Sequence, residues 1–86
     1  MTRHKHQDTW DKLEIILSKA VEELSSDLND REIKLFRDFI ENREYGVTFD
    51  IMVNIIRERS IAVTNEARDN IYQAADLMNV YLERNI

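Results

Sequence analysis

The side chains of this chain that could do chemistry are few, and their spacing does not suit catalysis. His4 and His6 are its only histidines, two residues apart near the N-terminus. As metal ligands they would need further partners, and no cysteine or neighbouring carboxylate pair supplies them. As general bases they would have to be held against a fixed nucleophile. Both instead fall in residues 1–7, a stretch expected to fray. The single glycine, Gly46, cannot build a phosphate-cradling loop. No catalytic, metal-binding or cofactor-binding residue is therefore expected, and no cofactor.

Carboxylates are what remain. The chain carries 17 acidic against 12 basic residues over 86 positions, for a net charge of -5. Nucleic acid is a poor partner for such a surface, because affinity for it comes largely from neutralising phosphates. A basic protein is a better one, and the field of the acidic chain would steer the encounter. The acids are grouped. Glu22, Glu23, Asp27 and Asp30 follow one another with no base between them, and Glu41, Glu44 and Asp50 form a second group after Asp38, interrupted by Arg43. Tyr45 stands between Glu44 and an apolar stretch. It can be an aromatic closing the margin of the core or, since tyrosine is enriched at binding hot spots, an anchor for a partner.

These groups need elements to position them. One glycine and no proline in the whole chain argue for helices, because sheets need turns and turns need those residues. Trp10, Leu13, Ile16, Leu17, Ala20, Val21 and Leu24 recur at spacings of three and four, which places them on one face of a first helix, with Asp8 as its cap and Asp11 in its first turn. Asn29 followed by Glu32 is a capping-box arrangement, and Leu28 with Ile33 makes the staple around it. A second helix thus starts near Asp30 and buries Ile33, Phe36, Phe39 and Ile40. Gly46 is expected to turn the chain with a positive φ. Val47 to Ile56 is apolar on most of its circumference; with no other stretch for a strand to pair with, it reads as a central buried helix. Arg57 to Ser60 reads as a polar connection. Thr64 caps a last helix with Ala67, Ile71, Ala74, Ala75 and Met78 inward, and the tail from Asn79 to Ile86 holds enough apolar surface to dock.

The expected fold is one all-α domain over residues 1–86, a compact bundle of about four short helices. No stretch approaches the ~18 apolar residues of a membrane span, and no apolar segment follows the basic N-terminus as a signal peptide requires. A soluble, cytoplasmic chain without a membrane partner is expected. Ser26-Asp27-Leu28 scrambles the Asp-Ser-Leu motif of acyl carrier proteins, and Val47 to Ile56 offers no Lys or Arg with which a recognition helix could read DNA.

The run Phe39-Ile40-Glu41-Asn42-Arg43-Glu44-Tyr45-Gly46-Val47-Thr48-Phe49-Asp50 resembles the central segment of the small MafI-like bacterial immunity proteins, in which an acidic helix enters a Glu-Tyr-Gly turn. The likeness extends over roughly residues 33–80. It implies an antitoxin that binds the C-terminal nuclease domain of a secreted or contact-dependent toxin, EndoU-type RNases among them, and blocks its active site or substrate path. On that reading Glu22, Glu23, Asp27 and Asp30, or Glu41, Glu44, Tyr45 and Asp50, meet the toxin, and the antitoxin is a monomer or weak homodimer. The alternative from another class is a small acidic helical adaptor that binds a protein partner or itself.

Overall fold

The computed structural model describes residues 5–83 and 86, and within them the chain folds into four α-helices and one turn of 3-10 helix. These are α1 (Lys5–Glu23), the 3-10 turn (Ser25–Asp27), α2 (Asp30–Glu41), α3 (Tyr45–Arg59) and α4 (Asn65–Met78). The all-α bundle read from the sequence is the fold observed.

Two helix starts follow directly from their caps. Asn29 accepts the Glu32 backbone N–H at 2.8 Å while its own N–H donates to the Glu32 carboxylate at 3.0 Å, closing the capping box. Thr64 accepts the Ala67 N–H at 3.1 Å and starts α4. The first helix begins earlier than its apolar pattern suggests. α1 starts at Lys5, so Asp8 is a first-turn residue instead of the cap, a place where its charge still favours the helix dipole. His4 lies outside the described residues, as does the side chain of His6.

The core is built on α1. Leu13, Leu17, Ala20, Val21 and Leu24 are buried along one stripe, and Ile16 lies beside them. α4 packs on this stripe through Ala67, Ile71, Ala74 and Ala75, none more than 1% exposed. Lys12 and Ile15 line one groove with Leu77 at one end of the seam, and Glu22 and Glu23 line another with Glu66 at the other end, so the two helices run antiparallel. α2 contributes Phe36 and Ile40, and α3 contributes Phe49, Met52, Val53 and Ile56. α3 is a helix as expected but not the central one: α1 holds that place, and α3 leaves Val47, Asp50, Asn54 and Arg57 exposed along its outer face. Its one buried polar side chain, Thr48, is satisfied by donating its hydroxyl to the Glu44 carbonyl at 2.8 Å. Trp10 departs from the pattern. It lies N-terminal to the buried run that begins at Leu13, is 40% exposed, and is covered by the Arg43 guanidinium 5.5 Å from its ring centroid.

The helix ends depart more. Gly46 does not turn the chain, because it sits inside α3 with an ordinary φ. The turn is made by Arg43 at φ 60°, with the Arg43 N–H on the Ile40 carbonyl and the Glu44 N–H on the Phe39 carbonyl, a Schellman motif without glycine. The same pair of bonds recurs at Ser60 (φ 51°) after α3 and at Asn79 (φ 56°) after α4. The connection accordingly lies later than expected. Arg57 and Arg59 belong to the last turn of α3, where cations suit the dipole, and the link runs through residues 60–64. Arg59 then reaches back across the bundle, pairing with both carboxylate oxygens of Glu32 and donating to the Asp27 carbonyl at 3.2 Å. The Arg59 bond, and after it the Asn29 N–H, holds the Glu32 carboxyl below its ordinary pKa.

A left-handed residue with a Cβ is strained where glycine is not, and a helical glycine is wasteful where nothing crowds it. A Cβ at Gly46 meets nothing within 4 Å. Ser60→Gly and Gly46→Ala are each expected to stabilise the chain by about 0.5–1 kcal/mol, read as a raised urea midpoint with an unchanged slope. A lowered midpoint for either would contradict this backbone account.

Candidate functional site

The fold separates the two acidic groups. Glu22 and Glu23 close α1, Asp27 lies in the 3-10 turn and Asp30 opens α2, so this group forms one corner of the molecule. Glu41 lies at the far end of α2, about 16 Å of helix rise from Asp30. Glu44 is exposed in the turn that follows, and Asp50 stands on the outward face of α3. The two groups are alternatives in space as well as in sequence.

The corner group gains members that the sequence order hides. Asn70 of α4 donates its amide to the Glu23 carboxylate at 2.6 Å and draws the start of α4 alongside the end of α1. Between them lies an open groove of about 400 Å³ lined by Lys19, Glu22, Glu23, Glu66, Asp69 and Asn70. Four carboxylates thus face one lysine along a single seam. Glu66 and Asp69 are three apart behind the Thr64 cap, a spacing that puts both on one helix face. Their approach to Glu22 and Glu23 is a tertiary event that spacing alone does not carry.

Asp30 and Glu66 lie in first turns that suit a carboxylate, but the acids that end α1 and α2 are not placed for the comfort of their helices. The last turn of α1 contains Glu22 and Glu23 and no base, and that of α2 contains Asp38 and Glu41 and no base. A helix C-terminus favours cations, so carboxylates there oppose the dipole. Nor are they spent on internal ion pairs: Glu22, Asp27, Asp30, Glu41, Glu44 and Asp50 are exposed, and none is held in a salt bridge among the described residues. The frame behind them is well satisfied. No buried side-chain polar atom among the described residues lacks a partner.

Tyr45 takes the first of its two readings. It is 5% exposed within the core, packed at the start of α3, and burial first and the Glu14 charge second push its phenol above its ordinary pKa. It is not offered to a partner. The most exposed aromatic among the described residues is Tyr81, 88% exposed, beside a shallow groove lined by Phe49, Asp50, Val53, Asn54, Arg57 and Leu82. Tyr81 belongs to the tail expected to dock, and only part of that tail does so. Leu82 is buried while Val80 and Tyr81 stay outside.

Among the described residues no group of His, Cys, Asp and Glu could hold a metal ion, and no helix is long and apolar enough to cross a membrane. No family model, curated protein or solved structure matches the chain.

The dipole argument has a measurable consequence. Glu22→Gln and Glu41→Gln should each raise the thermal midpoint slightly, because each removes a charge from the wrong end of a helix. A fall in the midpoint would mean that these carboxylates support the fold.

Proposed function

We propose that this chain is an immunity protein, acting by stoichiometric binding and not by catalysis. It neutralises the C-terminal nuclease domain of a cognate bacterial toxin, of which EndoU-type RNases are one class, by covering the basic surface that the nuclease presents to its substrate. The observation that carries this reading is the convergence of Glu22, Glu23, Glu66 and Asp69 on one open groove, two of them at a helix end where they oppose the dipole. Asp27 and Asp30 extend the same corner. The likeness of residues 39–50 to the MafI-like proteins supports it from the sequence side.

A nuclease must attract phosphates, so its substrate path is lined with Lys and Arg. A rigid acidic groove competes for those cations, and its field raises the rate of encounter. Lys19 at the rim of the groove excludes partners that offer a cation at that point, a repulsive element of the kind that sharpens specificity. Toxins of this kind act on nucleic acid in the cytoplasm, which is where the antitoxin works on this reading. The exposed Tyr81 favours a second reading, a small adaptor that binds a partner or itself through α3.

The test is capture of partners by the tagged chain from its native lysate, in parallel with the Glu22→Lys/Glu66→Lys variant. The expected result is a 1:1 complex between the wild-type chain and the C-terminal part of a large exported protein. That part should cleave RNA or DNA alone and be inhibited by the wild-type chain, with the variant binding at least about tenfold more weakly, as reversed charges at an interface predict. Capture of a regulatory protein, or inhibition of the nuclease equally by the variant, would overturn the proposal.

A further inference from the structure

We propose that the outward face of α3 is a dimer interface, on which a second copy of this chain docks antiparallel about a two-fold axis near Asn54. Asp50, Asn54 and Arg57 are spaced four and three apart and all three are exposed, so they form one stripe along the helix, about 10 Å from first to last. A two-fold interface has to be complementary to itself, with residue i meeting j and j meeting i. This stripe meets that condition: a copy turned about its midpoint sets Asp50 of each chain against Arg57 of the other and brings the two Asn54 amides together.

The stripe carries one negative and one positive charge around a neutral centre. It therefore gives a basic partner no net attraction, unlike the α1–α4 seam, and the two surfaces share no residue. The flank of the stripe is apolar. Phe49, Val53 and Leu82 form the floor of a groove of about 250 Å³, and Tyr81 stands at its edge, 88% exposed. Docking of the second copy covers this ring, the most exposed large hydrophobic side chain of the described residues. Val47, 43% exposed and one turn before Asp50, extends the same margin. A patch of one helix and a short tail is small, which puts the dimer in the weak, reversible class.

Sedimentation velocity over about 1–500 µM spans the affinities expected of such an interface. The wild-type chain should pass from its 10.3 kDa mass towards twice that value as concentration rises. Asp50→Lys and Arg57→Glu each set like charges together twice in the dimer, so each variant alone should stay monomeric. An equimolar mixture of the two should associate again, because the introduced lysine meets the introduced glutamate and the native Asp50 meets the native Arg57. Tyr81→Ser, a change at an exposed position, should weaken the wild-type dimer at least about tenfold, as loss of an aromatic anchor does. A wild-type chain that is monomeric throughout, or a mixture no more associated than its two components, would overturn the proposal.

Discussion

The close approach of α1 and α4 is the constraint on which the rest of the molecule depends. Ala20 on one helix and Ala67, Ala74 and Ala75 on the other are at most 1% exposed, and their short side chains let the backbones come near enough to bury Leu17, Val21 and Ile71 between them. α2 and α3 then close the remaining sides of the α1 stripe with Phe36, Ile40, Phe49 and Met52. Because the two helices run antiparallel, the same contact fixes which of their outer residues become neighbours. It sets Glu22 and Glu23 beside Glu66 and Asp69, at the seam that the Glu23–Asn70 hydrogen bond locks. A larger residue at Ala74 or Ala75 would separate the helices and open the groove with them.

Stability and charge placement pull against each other at that seam. The helix starts are built for stability, with Asn29 and Thr64 capping and the Arg59–Glu32 pair tying α3 to the opening of α2. The ends of α1 and α2 are not, since they carry carboxylates where the dipole asks for cations. Departures of this kind from local preference are what a binding surface is expected to show. One of the two, the end of α1, lies at the acidic groove, which is why the groove, and not the Glu32 cluster, supports the functional proposal.

Much of the fold was legible in the residues and much of the surface was not, for different reasons. The capping box at Asn29, the Thr64 cap and the alanine face of α4 are local patterns whose meaning does not depend on distant residues. The helix ends were hidden because the usual signal is glycine, and Arg43, Ser60 and Asn79 adopt the left-handed conformation without it. That also misplaced Gly46, and with it the turn that decides the burial of Tyr45: with the left-handed residue at Arg43, Tyr45 becomes the first residue of α3 and turns inward. The aromatic left furthest outside among the described residues is Tyr81, which follows the Asn79 turn. The partnership of Glu22 and Glu23 with Glu66 and Asp69 joins residues more than forty positions apart, and only the packing of α1 on α4 creates it.

The central claim is that attraction between this acidic surface and a basic nuclease drives binding. Its most direct measurement is the association rate of the chain with the captured nuclease domain, by stopped flow, as a function of salt. Screening shortens the Debye length from about 30 Å at 0.01 M to about 3 Å at 1 M, so the account predicts an on-rate that falls at least about tenfold across that range, with a much smaller change in the off-rate. An on-rate that stays flat from low to high salt would contradict it.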